Sequence, residues 1–319
     1  MTLGQLAPAV GNNTPVTRFI LEGFSDLEDL QGLLFATFLL IYVLTVTGNA
    51  GLMALVLADR RLHSPMYFFL SVLSFLDICY SSVVTPKLLA DFLARDKSIS
   101  LGGCVAQLAF FVTHVTAESF LLAAMAYDRC TAVCRPLRYG STMTRGTCLR
   151  LVAASYALGG VNSAIQTSNV FVLPFCGPNR VSHFFCDIPP LLRLACADTA
   201  TAQRVLYLFS GLVTLVPATV ILTSYGLVLF AIGRMHSAAR REKALSTCAS
   251  HILAIAIFYS TVVFTYVRPR GVGDLSHARV VSVFYIIVTP MLNPFIYSLR
   301  NKEVKDALRR RLRAVTLPD

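Results

Sequence analysis

Four polar side chains stand where apolar residues prevail. Asp77 and Glu118 lie well inside long apolar runs, and Asn49 and Asn293 are amides in two further runs. Facing one another, two acids and two amides form a small polar core. Such a core suits a hydrated cation or a shared proton, because close carboxylates repel when both are ionised. A second pair, Asp128-Arg129, ends the stretch LLAAMAY (Leu121–Tyr127) and opens into a loop holding Arg135 and Arg138. An acid and a base at the rim of an apolar helix can act as a latch. Arg129 is held by Asp128 in one state and released to a partner in the other. Tyr225, Tyr259 and Tyr297 fall in the last three runs with Pro217, Pro290 and Pro294. The two late prolines free carbonyls and bend the final helix, so a tyrosine near its inner end can swing. No motif gathers Ser, His and Asp, and no phosphate loop or zinc-hydrolase signature occurs, so an enzyme is not expected.

The elements that must position these residues are long and apolar. Of the 319 residues, 55% are hydrophobic and only 14% charged, against roughly 25% charged in a soluble domain. Seven runs, at about 30–57, 65–90, 101–127, 148–172, 204–232, 245–267 and 277–299, approach the ~20 residues that cross a bilayer. Unpaired backbone groups are not tolerated in lipid, and runs this long do not fit barrel strands, so the spans are helices. The expected fold is an all-α integral membrane protein, a seven-transmembrane helix bundle. Residues 1–29 form an extracellular N-terminus, 30–299 the membrane domain, and 300–319 a cytoplasmic tail. In that tail Val304, Ala307, Leu308 and Leu312 recur at helical spacing among basic residues, as in an amphipathic helix lying on the membrane surface.

Charge gives the orientation. The formal net charge is +11, and the connections after the first, third and fifth runs carry most of the arginines, as cytoplasmic loops do. That places the N-terminus outside and the C-terminus inside. The excess matches anionic lipid and not nucleic acid, because the basic residues are scattered between apolar spans. No cleaved signal peptide is expected; the first run serves as anchor. Asn12 heads the sequon Asn12-Asn13-Thr14 and is a glycosylation candidate.

Outside, Cys104 stands at the mouth of the third span, and Cys176, Cys186 and Cys196 lie in the long connection after the fourth. Four cysteines in an oxidising compartment can form two disulfides in three pairings. Any of them staples the loop over the bundle. His183, in that loop, reads as a packed or exposed histidine and no metal ligand. Beneath the cover a cavity is expected between helices. Its wall candidates are Phe111, Val112, Val115, Thr116 and Ser119 from the third span, Phe209, Ser210 and Val213 from the fifth, Tyr259, Val262 and Tyr266 from the sixth, and Ile286 from the seventh. The set is mainly apolar with a few hydroxyls and no acid near the mouth. The expected ligand is small, neutral or weakly polar.

The motifs together resemble one family. GN at Gly48-Asn49, LHSPMYFFLSVLSFLD (Leu62–Asp77), MAYDRCTAVCRPLRY (Met125–Tyr139), SY (Ser224-Tyr225), KALSTCASH (Lys243–His251) and NPFIYSLRNKEVKDAL (Asn293–Leu308) are similar to the signatures of vertebrate odorant receptors, within the rhodopsin-like G-protein-coupled receptors. The likeness spans residues 12 to 309, and Phe184–Pro190 resembles the tetrapod-type class. The resemblance implies that Arg129 engages a G protein, with Tyr225 and Tyr297 as its switching partners. It implies a sodium role, and no other cofactor, for the paired acids Asp77 and Glu118. It also implies the pairings Cys104 with Cys186 and Cys176 with Cys196, and Tyr259 as cavity floor. The implied ligand is a volatile odorant. The implied partner is the olfactory stimulatory G protein, which raises cyclic AMP in the cilia of sensory neurons. Four positions depart from the family: Cys130 stands where tyrosine is usual, Thr131–Cys134 reads TAVC for VAIC, which changes two residues, and Ser260 stands where glycine is common. Cys130 keeps open a receptor-like protein with weak or no signalling. A transporter is disfavoured by the missing internal repeat and the lack of polar steps on either side of Asp77.

Overall fold

The structure, a computed structural model, describes residues 16–176, 178–266 and 274–316. Helices α1 (Gln31–Ala58), α2 (Pro65–Leu93), α3 (Leu101–Cys134), α4 (Arg145–Phe171), α5 (Ala200–Gly233) and α6 (Ala238–Tyr266) follow in order. Helix α7 runs through Asp274–Val283, a π-helical turn at Phe284–Val288, and Thr289–Arg300; α8 is Lys302–Thr316. Among the described residues six helices are long and apolar enough to cross a membrane, and Cys248–Thr261 within α6 is a shorter apolar stretch. Several helices outrun their apolar cores. α3 continues to Cys134, α5 begins at Ala200 and α6 at Ala238, because helical hydrogen bonding persists where polar residues take over from apolar ones.

Short polar signals mark several rod boundaries. Asp59 accepts from the Arg61 amide in the turn after α1, Ser100 accepts from Gly103 at the start of α3, and Thr144 accepts from Thr147 at the start of α4. Asn301 separates α7 from α8 and caps the latter through the Glu303 amide. Val304 and Ala307 of α8 are buried, and Arg310 and Arg311 bond Asp59 and the Ala58 carbonyl at the end of α1.

α3 is the axis of the bundle. It packs against α2, α4, α5 and α6, and 72% of its apolar window is buried, against 11% for α1. Large apolar side chains on the outer faces, such as Leu57, Leu93 and Leu222, are open to the surroundings, as lipid contact requires. Two close approaches need glycine. A Cβ at Gly48 would lie 3.2 Å from Pro294 Cγ, and one at Gly159 would lie 2.5 Å from the Thr113 carbonyl oxygen.

The end bearing the disulfides carries a small sheet that the apolar pattern does not reveal. β1 (Arg18–Leu21) lies between β2 (Ser98–Ser100), antiparallel, and β3 (Arg180–Val181), parallel. The polar N-terminal segment therefore contributes a central strand, with Phe19 and Leu21 buried beneath it.

Gly159 and Gly160 separate packing from propensity. Gly159→Ala should destabilise by about 1–3 kcal/mol, the usual cost of overpacking. A Cβ at Gly160 would meet nothing within 4 Å, so that position should tolerate alanine. Thermal unfolding of the two purified variants in detergent checks this, and equal melting temperatures would sink the close-approach argument.

Candidate functional site

The inner polar core assembles around α7. Pro294 has no N–H, so the Pro290 carbonyl loses its helical donor. Asn49 Nδ2 supplies one from α1 at 2.9 Å and also bonds the Thr45 carbonyl at 3.0 Å. One turn away, Asn293 Nδ2 donates to both Asp77 oxygens at 3.2 and 3.0 Å. Glu118 is buried in α3 within electrostatic range of Asp77. Asn49 thus meets α7 and not the acids directly, and its Oδ1 is buried without a hydrogen-bond partner. The Asp77 and Glu118 carboxyls are hard oxygen donors, the ligand type that small hard cations take. Among the described residues no group of three or more His, Cys, Asp or Glu is gathered for a metal ion.

At the far end of α3 the Asp128 carboxyl is fully buried and takes three hydrogen bonds. Arg129 supplies two, Nε at 3.0 Å and the terminal nitrogen, and the Tyr139 hydroxyl donates at 2.7 Å. Tyr139, from the loop after α3, is a partner that sequence reasoning missed. Tyr225 does not meet Arg129; its hydroxyl lies 2.6 Å from His251 Nδ1 of α6. Arg129, His251 and Tyr297 line one cavity of about 20 Å³, room for about one water. Among the described residues His251 Nε2 and the Tyr297 hydroxyl have no hydrogen-bond partner. His251 is legible in the sequence only as part of the KALSTCASH motif. Cys130 is buried with its thiol 3.9 Å from that of Cys134.

Toward the opposite end, the wall candidates divide. Ser119 donates to the Val213 carbonyl at 3.1 Å and lies 3.3 Å from the Tyr259 hydroxyl, which joins α3, α5 and α6 at one level. Phe111 packs on Tyr80, Phe185 and Tyr285, and Val112, Val115 and Ile286 belong to the same apolar cluster. Phe209 and Ser210 are half-buried on α5. Thr116 is turned to α4, where it accepts from Asn162 at 2.9 Å. The side chains of Val262 and Tyr266, and Asn12 with its sequon, lie outside the described residues.

The cover is closed by Cys104–Cys186 and Cys176–Cys196, with Cα atoms 5.5 and 5.7 Å apart. Gln107 of α3 fixes the loop by accepting from the Cys186 amide at 2.9 Å and donating to the Val83 carbonyl at 3.1 Å. Phe184 and Phe185 are buried beneath it and flank His183. His183 is buried with neither ring nitrogen bonded. Burial, then the Arg279 guanidinium, depresses its pKa to about 3. Arg279 of α7 meets Asp26 at 2.7 and 2.8 Å, and that contact holds the Asp26 carboxyl below its ordinary range.

A bundle of apolar rods with a disulfide-stapled cover, a buried polar centre and an arginine paired at the far end defines a heptahelical membrane protein. Residues 38–314 match the family model described as olfactory receptor. The mouse protein Olfactory receptor 5AP2 is 52% identical, covering 94% of this chain and 94% of its own length. Mouse Olfactory receptor 5T9 is 50% identical over 94% of this chain and 91% of its own. Human Olfactory receptor 5B21 is 50% identical over 93% and 96%. The chain belongs to the olfactory receptor family of G-protein-coupled receptors: a multi-pass plasma-membrane protein, not an enzyme.

Two outcomes follow from these contacts. Asp77→Asn keeps an acceptor for Asn293 and removes the charge. It should leave surface expression intact and shift ligand potency by roughly 5- to 150-fold, a coupling of about 1–3 kcal/mol; unchanged basal and driven signalling at equal surface level would refute it. For His183 the folded pKa of about 3 lies below the ordinary 6.5. The stability it contributes is therefore complete above pH 6.5 and lost as pH falls toward 3. Melting temperature should drop on acidification from about pH 7 to pH 5, and less in His183→Leu; parallel curves would overturn the assignment.

Proposed function

We propose that this receptor binds a small, mostly apolar volatile odorant in the outer half of the bundle and activates a stimulatory G protein, raising cyclic AMP. The observation that carries the reading is the placement of opposite features on one rod. α3 presents Phe111, Val112, Val115 and Ser119 toward the covered end and Asp128-Arg129 at the other. The ligand would lie among Phe111, Phe209, Ser210, Val213, Tyr259 and Ile286, with Ser119 and Tyr259 as its polar floor, and Val262 and Tyr266 completing the wall. In this reading the disulfide-bearing end and N-terminus are extracellular, the Arg129 end and C-terminus cytoplasmic, and the working site is the olfactory cilium.

The mechanism is a population shift. Ligand stabilises the packing in which Arg129 leaves Asp128, and the G protein favours that same packing. Tyr225 and Tyr297, now beside His251 and the 20 Å³ cavity, would receive the released guanidinium. A sodium ion between Asp77 and Glu118, with Asn49 and Asn293 alongside, would supply positive charge to the resting core. Asn49 and Asn293 orient the acids and α7 whether or not the ion is bound.

A cyclic AMP screen of diverse volatiles on surface-expressed receptor tests the reading. At least one volatile should raise cyclic AMP in the wild type, and Arg129→Gln should abolish that response at equal surface level. A response that survives Arg129→Gln would sink the latch; ion flux in vesicles without nucleotide exchange would sink the receptor.

A further inference from the structure

The last turn of α3 carries two free thiols, Cys130 and Cys134. They stand four residues apart, so both side chains lie on one face of the helix. Their sulfurs are 3.9 Å apart, and the Cys130 thiol donates a weak hydrogen bond to Cys134. Neither is sealed off: Cys130 is 9% exposed and Cys134 is half-buried. The pair depends on one residue. Cys130 stands where the family usually has tyrosine, and a tyrosine there would leave Cys134 without its neighbour.

The spacing decides what such a pair can hold. A disulfide brings its Cβ atoms to roughly 3.5–4.5 Å, whereas helical residues four apart keep theirs roughly 5–6 Å apart. Oxidation to a disulfide would therefore break the turn. A zinc ion asks for less. Two sulfurs each ~2.3 Å from one tetrahedral zinc lie ~3.8 Å from each other, close to the 3.9 Å found here. The helix presents one edge of a zinc tetrahedron with its backbone as it stands. Thiolates favour soft and borderline ions, while sodium, magnesium and calcium take oxygen. Charge also balances. Both cysteines belong to the apolar cluster at this end, and two thiolates with one divalent ion add no net charge to it. We propose that Cys130 and Cys134 form a two-thiolate chelate for one zinc ion, closing the last turn of α3. Each S–H gives its proton to water as a Zn–S bond forms, so two protons leave per ion and no electrons move. Water takes the remaining positions, because among the described residues no group of three His, Cys, Asp or Glu is gathered. The loaded turn begins directly after Arg129 and is held by two metal bonds besides its helical hydrogen bonds. A partner meeting that end meets a stiffer rod.

The test uses full-length receptor in detergent and oxygen-free buffer without added thiols, with cobalt(II) as the coloured stand-in for zinc. Cobalt should bind with a near-ultraviolet sulfur-to-cobalt charge-transfer band of the strength that two thiolates give, and zinc should displace it. Cys130→Tyr, which restores the family's usual residue, and Cys134→Ser should each abolish that band. Each should also weaken zinc binding by more than the roughly 10- to 100-fold that loss of a supporting contact costs. Cys130→Ser serves where Cys130→Tyr does not fold. Cys148→Ser removes another buried free thiol, near the start of α4, and should leave the band unchanged. No charge-transfer band, a band of equal strength in the Cys130 or Cys134 variants, or its loss in Cys148→Ser would each overturn the site. The readout is bound metal and not cyclic AMP, so a receptor that fails to signal still tests it.

Discussion

A carbonyl cannot be left without a donor in hydrocarbon, and Pro294 creates one. The bundle answers from another helix: Asn49 of α1 bonds the freed Pro290 oxygen. Gly48, beside it, lets the two backbones come close enough for that bond. The same stretch of α7 then presents Asn293 to Asp77 of α2. A single missing N–H thus ties α1, α7 and α2 together in the middle of the bundle. Asn49, Asp77 and Asn293, which look costly in an apolar chain, each meet a polar group on another helix.

The same logic separates rigid from movable parts. In the core, the bonds from Asn49 to Pro290 and from Asn293 to Asp77 hold helices in one arrangement. At the Arg129 end Asp128 is held by three bonds, but polar groups around Arg129 are incompletely paired. Tyr297 and His251 each keep an unbonded polar atom beside a cavity of about 20 Å³. Unmet hydrogen-bonding capacity next to a held guanidinium is what a two-state element needs: an alternative set of partners that costs little to reach. The outer end is the opposite case. Two disulfides, Gln107 and the Arg279–Asp26 pair fix the cover from four directions.

Much of this is legible in the residues, and the illegible part has a physical cause. Membrane helices announce themselves because lipid excludes charge over their whole length, so the spans and the odd residues within them can be read one segment at a time. Asp77, Asn293 and Asp128 stand out for that reason. Their partners do not. Tyr139, His251 and Asn162 sit among residues that look ordinary, and only packing brings them to Asp128, Tyr225 and Thr116. The outer sheet is invisible for another reason. Strands of four, three and two residues are too short to show alternation, and β1 pairs with segments distant in sequence. Residue order alone leaves three cysteine pairings open. Geometry decides between them because Gln107 fixes the Cys186 amide beside α3.

The position of β1 sets a schedule for assembly. The strand is made first, yet its pairing partners are synthesised long afterwards. Asn179 reaches the Arg18 carbonyl across 161 residues, and Arg279 reaches Gly23 across 256. The leading segment therefore gains its strand partners with β2 and β3, and its ion pair only when α7 is made. The cap is the last part to be completed, and a chain that stalls before its seventh rod leaves β1 paired on both edges but Gly23 and Asp26 without the Arg279 that clamps them.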